Sequence, residues 1–364
     1  MKDSSPDVYV VIPAGGSGTR LWPMSRASSP KFLHSFTDGS RSLLQATLAR
    51  LAPIAPVART LVVTGASHAV AVARQLPQLP EANVLIEPSS RDSAPAIGLA
   101  AALIGRRNPD AIMGSFAADH HIADPDRLVV AVREAIAVAE RGYLVTVGLT
   151  PTRPETGYGY LKLGKELPGA AGFAVDEFAE KPSPDRARQY FESGNYLWNA
   201  SMFVWRVSAM LAELQRQQPE LYEGLMAIAA DWDSPRREKT LAKVWPMLPK
   251  IAVDYAIMEG AAARGLVATI PADVGWHDVG DWHAVGEILQ GDENDNAVLG
   301  DVSLCSVKSR GCVVAGSSGR SVSIVGLDGV VVVDTPDALL VCSRESSQDV
   351  KQIVGMLGID DPLR

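Results

Sequence analysis

Near the start of the chain, the run GGSGTRLWP, residues 15–23, follows a short apolar segment and places an arginine where a P-loop would carry Lys-Ser/Thr. Gly15, Gly16, Ser17 and Gly18, with Thr19 beside them, let backbone N–H groups close around an anion without a Cβ in the way. The Walker spacing is absent, and Leu21 stands where the dinucleotide fingerprint needs its third glycine, so neither motif is present. Taken alone, such a loop reads equally as a tight structural turn. The balance shifts with Arg20 and Lys31, two cations on one loop that also carries Pro23 and Pro30. Together they neutralise charge building on a triphosphate while backbone amides hold it, which is the chemistry of phosphoryl or nucleotidyl transfer.

A loop of this kind needs a strand to launch it and a sheet to face. Through residue 150 the sequence alternates β-type runs at 8–13, 61–65, 84–88, 111–117 and 143–148 with longer helical patterns. That alternation predicts an α/β fold with a Rossmann-like, doubly wound, mostly parallel sheet. Asp124 is placed to cap a helix that begins at Pro125, and Leu128, Val129, Val132, Ile136 and Ala139 recur at helical spacing. The pair Asp119 and His120 falls at a strand end, where open α/β sheets place ligands. Beyond residue 150 the pattern predicts strands at 157–160 and 173–180, a helix over 184–193 and a largely helical stretch over 202–225. The run 273–282, rich in Gly, Asp and Trp, reads as a cleft-lining turn too polar for the core. After residue 291 short β runs at 312–315, 321–325 and 329–334, then a helical stretch from 347, predict a small β-rich domain that suits a short β-helix. The expected division is a catalytic domain over 1–290 and a C-terminal domain over 291–364.

Composition narrows the function classes. The 364 residues are 47% hydrophobic and 21% charged, enough for a sizeable core, and no apolar run reaches membrane-spanning length. The N-terminal MKDSSPD lacks the apolar centre of a signal peptide, so a cytoplasmic protein is expected. A net charge of -8 argues against broad nucleic-acid binding and confines any anion site to a local pocket. Cys305, Cys312 and Cys342 are odd in number and show no CxxC spacing, so neither a disulfide framework nor a zinc site is suggested and they read as core residues.

The whole run GGSGTRLWPMSRASSPKFL resembles the signature loop of sugar-nucleotide pyrophosphorylases, and its LWPMSR wording is similar to the mannose-1-phosphate guanylyltransferase branch. One departure is Phe32, which follows Lys31 where that branch usually has Gln. The run EPSSRDSAPAI, residues 87–97, resembles the segment over the nucleotide base, with Asp92 and Ser93 in place of Asn and Thr. The resemblance thus implies nucleotide contacts from residues 15–19, Glu87 and Arg91. It also implies that Asp119 holds Mg²⁺; by itself, an Asp-His pair at a strand end is as often a surface turn. GYGY at 157–160 and EKP at 180–182 resemble sugar-side motifs, which implies Gly159 and Glu180 at the sugar and Lys181 at its phosphate. LWNASMF, residues 197–203, resembles the next sugar segment, with Asn199 able to donate and accept and Ser201 replacing the usual Gly. These fall within the expected sugar-binding part, about residues 150–200.

DYAIME, residues 254–259, is similar to a further branch motif, with Ala252 where Ser is usual; without the resemblance it reads as a helix start. WHDVGDW, residues 276–282, resembles the late metal-site turn and implies Asp278 as the second Mg²⁺ carboxylate, while Asp281 reads as a helix N-cap. VVVDTPDALLVC, residues 331–342, resembles the branch's C-terminal β region. The implied reaction joins GTP and mannose 1-phosphate into GDP-mannose and pyrophosphate, with catalysis by Arg20 and Lys31, Mg²⁺ as cofactor and a homodimer as the expected assembly. Other bases or sugars, and a non-catalytic sugar-nucleotide sensor, are the alternatives. A nicotinamide oxidoreductase fails at the glycine spacing.

Overall fold

A computed structural model describes residues 6–16, 18–37, 40–358 and 361–363. The apolar run at the N-terminus forms β1 (Val8–Ala14), whose Val10, Val11 and Ile12 are fully buried on both faces of the sheet. Strands covered on both sides read as continuous apolar runs, and this is one. The later strands of the same sheet are β2 (Thr60–Gly65), β3 (Val84–Glu87), β4 (Ile112–Ser115), β6 (Leu144–Leu149), β7 (Gly159–Glu166), β8 (Phe173–Ala179), β9 (Tyr196–Arg206) and β10 (Val267–Ala272). Two short strands, β5 (His121–Ile122) and β11 (Trp276–His277), pair with each other instead.

The large sheet runs β3-β2-β1-β4-β9-β6-β10-β8-β7. Only β8 and β9 run against the other seven strands, as the pairings require. Helices Ser93–Arg107, Val207–Gln217 and Pro219–Asp231 cover one face; Leu43–Leu51 and Pro125–Ala139 cover the other. Capping sets the last of these as its sequence predicts: Asp124 Oδ1 accepts from the Arg127 N–H at 3.0 Å and Pro125 opens the helix. The chain builds from β1 outward through β2 and β3, then crosses to β4 on the other side, so β1 and β4 flank the topological switch point.

Three sequence expectations need correction. Residues 202–206 are strand, not helix, because β9 is sandwiched between covered faces and its apolar residues carry no period that separates the two. Within the polar turn 273–282, Val279 and Trp282 are fully buried, so that turn contributes to the core as well as to a cleft. Of the three cysteines only Cys312 is a core residue; Cys305 is exposed and Cys342 half-buried.

Past residue 296, β12 (Ala297–Gly300), β14 (Val313–Gly316) and β16 (Val330–Asp334) stack in parallel, and β13 (Ser303–Val307) stacks on β15 (Ser321–Val325). Cys312, Val314, Ile324 and Val332 fill the space between the two stacks, giving a short β-helix closed by an antiparallel edge strand, β17 (Leu339–Ser343). A second apolar cluster joins this unit to the rest of the chain: Leu299, Val313, Val331 and Val333 pack with Leu21, Trp22, Val279 and Trp282. Arg26 and Asp337 add a two-pronged ion pair at 2.6 and 2.7 Å. The apolar runs of the C-terminal unit therefore find an intramolecular surface. Among the described residues, no helix is long and apolar enough to cross a membrane.

Candidate active site

The Gly-rich loop leaves β1 at the switch point and closes back on Lys31. Gly18 lies at φ 63°, and a Cβ there would stand 2.6 Å from Lys31 Cβ, so both backbone conformation and space require glycine. Arg20 follows in a short 3₁₀ turn, Thr19–Leu21, whose Leu21 is anchored in the core. Lys31, almost fully buried, points its ammonium at two carboxylates: Nζ is 3.0 Å from Asp119 Oδ2 and 3.7 Å from Asp278 Oδ1, and it also donates to the Asp278 carbonyl. Asp119 sits in the turn after β4, not in the strand itself. Asp278 follows β11, and the pairing of His277 with His121 brings the two turns together. A Cβ on Gly280 would lie 3.0 Å from Asp278 Oδ2 and 3.8 Å from Arg20 Nη1, so Arg20 borders the same turn. The structure thus gathers Arg20, Lys31, Asp119 and Asp278; Ser17 lies outside the described residues.

Burial and neighbouring charges compete at Asp119 and His120. Burial pushes the Asp119 carboxyl up, but Lys31 and then His120 outweigh it and hold the group below its ordinary value. His120, with Nε2 3.9 Å from both carboxylates, is held neutral-leaning because burial lowers it more than the two carboxylates raise it. Arg50 backs the same turn, donating to the His120 carbonyl at 3.0 Å and to Thr47 Oγ1 at 2.7 Å. Burial lowers its guanidinium to about 10, against the raising field of Asp119. Sequence reading missed Arg50, because an arginine in a helix pattern gives no sign of which turn it will support.

On the side expected to take the nucleotide, the ends of β1, β2 and β3 are level: Ala14 pairs with Thr64, and Gly65 with Glu87. With strands about 4.8 Å apart, Glu87 stands roughly 10 Å from the Gly-rich loop, a span suited to a nucleoside. Glu87 is buried with Oε1 unpartnered, and burial pushes its carboxyl up to about 7. Arg91 behaves differently: its guanidinium donates to the carbonyls of Leu248, at 3.1 Å, and Pro246, pinning that segment in place. No contact with Arg20, Lys31 or Glu87 is among its hydrogen bonds or ion pairs. Asp92 combines a φ of 67° with an extended ψ of −172°, a strained backbone for a residue with a side chain, and its carboxylate accepts from the Ser93 N–H at 2.9 Å.

The residues expected on the sugar side meet in a cavity of about 130 Å³ that Gly159, Glu180, Lys181, Asn199, Trp276 and Asp278 help to line. Lys181 Nζ donates to Glu180 Oε1 at 2.7 Å, while Glu180 Oε2 is buried without a partner. A Cβ on Gly159 would meet that oxygen at 2.4 Å, which explains the second glycine of GYGY. Ser201 stands at φ 51°, a left-handed position that accounts for the Gly usual there. Tyr158 packs edge-on against both Trp198 and Trp276, at 5.2 and 5.0 Å between ring centres, walling the cavity. Behind it lies Asp254, which opens a π-helical turn, Asp254–Met258, and accepts from Asn199 Nδ2 at 2.7 Å. The DYAIME run was the available signal for Asp254, yet its place beside Asn199 depends on a long-range contact.

The Nucleotidyl transferase family model matches residues 9–295, and that of the MannoseP isomerase/GMP-like beta-helix domain matches residues 303–357. The xanthan biosynthesis protein XanB of Xanthomonas campestris is 40% identical over 358 residues, covering 96% of this chain and 73% of that protein. A mannose-1-phosphate guanylyltransferase of Escherichia coli is 39% identical over 365 residues, covering 97% and 74%. A solved structure from Thermus thermophilus, described as a mannose-1-phosphate geranyltransferase, aligns with a TM-score of 0.85 at 33% identity, covering 96% of this chain and 98% of that one.

Proposed function

The chain belongs to the mannose-1-phosphate guanylyltransferases of the nucleotidyl transferase family, and from that membership we propose that it joins GTP to mannose 1-phosphate, forming GDP-mannose and releasing pyrophosphate. The observation that carries the reading is the convergence of Lys31 on Asp119 and Asp278 beside the Gly-rich loop. In this reaction an oxygen of the sugar phosphate attacks the α-phosphorus in line, a P–O bond forms, and the bond to pyrophosphate breaks. The nucleophile is already anionic, so no general base is required, and catalysis rests on positioning and charge neutralisation.

The loop amides cradle the triphosphate, and Arg20 and Lys31 stabilise the pyrophosphate as it leaves. Lys181 steers the attacking phosphate. Glu87 is the natural reader of the base, since an unpartnered buried carboxylate oxygen complements the ring N–H and amino donors of guanine. Arg91 shapes the nucleotide side by holding the segment around Leu248. Asp119 and Asp278 suit Mg²⁺: both are hard oxygen donors that converge on one point, as fits an ion that takes one or two carboxylates and completes its shell with water and phosphate. Bound by these two carboxylates, Mg²⁺ would supply positive charge to offset that of the phosphates.

We further propose a cytoplasmic homodimer. Intramolecular docking covers much of the β-helix, but Leu339 and Val341 on its edge strand remain more than half exposed, a face suited to a second copy. The function is tested by pyrophosphate release across a grid of nucleoside triphosphates and sugar 1-phosphates. GTP with mannose 1-phosphate should lead the grid; comparable turnover with ATP or dTTP at limiting nucleotide refutes the guanylyl assignment.

A further inference from the structure

The polar layer behind the sugar cavity has a fixed direction. Asn199 Oδ1 is 3.2 Å from the Ser201 N–H, which can only donate, so that atom must be the oxygen and the amide cannot be flipped. Thr146 Oγ1 adds a second donor to it at 3.1 Å. Asn199 Nδ2 is then left facing Asp254 Oδ1 at 2.7 Å, with one N–H engaged and one remaining. The amide oxygen is thus occupied twice over, and what Asn199 offers the cavity is a donor alone. This differs from the sequence expectation of a residue that both donates and accepts.

The complementary acceptor lies alongside. A Cβ on Gly159 would sit 3.4 Å from Asn199 Nδ2 and 2.4 Å from Glu180 Oε2, so the donor and the unpartnered acceptor border one point, close enough for one hydroxyl to bridge. Asp254 is only 5% exposed and does not border the cavity itself. Burial, and then the charge of Glu180, push its carboxyl up to about 7, and Lys181 on the Glu180 side partly offsets this.

We propose that Asp254 is a positioning residue for the sugar cavity: with the direction of the Asn199 amide set by the Ser201 N–H and Thr146, Asp254 holds Nδ2 in place so that its remaining N–H donates to, and Glu180 accepts from, one hydroxyl of the sugar phosphate. The inference rests on the reading of the site as a sugar-1-phosphate pocket. A single hydroxyl read in both senses is a point of specificity, because its removal strands a buried donor and a buried acceptor together.

The test uses the full chain with saturating GTP and a set of mannose 1-phosphates each lacking one hydroxyl. The unaltered protein should lose about 10- to 100-fold in kcat/KM for one member of the set. Asp254→Ala should flatten the penalty at that position while leaving the KM for GTP unchanged. Asp254→Asn keeps an acceptor for the Asn199 N–H and should restore the penalty. Thr146→Val, close in shape, loosens the same amide from its other side, should weaken the same penalty, and keeps the test open where Asp254→Ala does not fold. An unmoved penalty in Asp254→Ala or Thr146→Val, a flattened one in Asp254→Asn, or a loss that falls on GTP overturns the inference. Failure of the unaltered protein to use mannose 1-phosphate refutes the functional reading instead, so the two failures are distinguishable.

Discussion

Asp119 and Asp278 lie 159 positions apart in the chain yet meet at one ammonium group, so their removal should not be independent. Changing either to Asn keeps shape and one oxygen but removes a charge that, in the proposed reaction, faces the phosphates and their counter-cation. At an effective dielectric of about 20, two unit charges about 4 Å apart interact by about 4 kcal/mol. That corresponds to about three orders of magnitude in rate, which is the expected loss for each single variant. If both carboxylates serve one site, the first change already breaks it, and the second should cost less than about tenfold more. The assay is pyrophosphate release by Asp119→Asn, Asp278→Asn and the double variant at saturating substrates, with circular dichroism confirming the fold. Losses that multiply in the double variant, or near-normal turnover by Asp278→Asn, would refute the shared site.

Glu87→Gln should weaken GTP by about 10- to 100-fold and erode discrimination against ATP, because the amide brings a donor to guanine's donors. Since the folded protein raises Glu87 to about 7, its contribution to stability is present below about 4.5 and lost as pH rises through 7, about 3 kcal/mol in all. Melting curves of Glu87→Gln should lack that decline, and identical pH profiles would remove the basis for it. In the same window the KM for GTP of the unaltered protein should fall as pH rises, as Glu87 becomes the ionised acceptor. Lys181→Ala should raise the KM for mannose 1-phosphate far more than the calorimetric Kd for GTP; equal damage to both would show that Lys181 does not steer the nucleophile. Light scattering at micromolar concentration should report a dimer, and Leu339→Lys with Val341→Lys should dissociate it; a monomer from the outset ends the edge-strand proposal.

What the sequence revealed divides by range. The Gly-rich loop was legible because glycine answers to local geometry, and Gly18 indeed needs both its φ and the space beside Lys31. The helix Pro184–Ser193 was legible for a similar reason, with Pro at its start and Gly194 in a left-handed C-cap. Residues 202–206 were not, since a doubly covered strand and a buried helix look alike in an apolar run. The β5–β11 ribbon that unites Asp119 with Asp278 is two residues long on each side, too short for any pattern. The roles of Arg50 and Asp254 depend on partners remote in the chain, which spacing along one segment does not encode.

The seam between the β-helix and the catalytic turns carries a further consequence. Val279, next to Asp278, is a β-branched residue at φ 52°, a conformation that costs on the order of 1–3 kcal/mol and persists only when its surroundings enforce it. Those surroundings are shared: Val279 is buried with Leu21, Trp22 and Trp282 against Val313 and Val331. Trp282 Nε1 donates to the Trp22 carbonyl at 3.0 Å, and Trp22 Nε1 to the Leu363 carbonyl at 2.7 Å. The C-terminal unit therefore works as a splint for the loop behind Arg20 and the turn of Asp278, although none of the residues proposed for the chemistry lies in it. Detaching it by heat or mild denaturant should silence turnover while the nine-stranded sheet still stands, so the activity of this chain and the integrity of its β-helix form one cooperative unit.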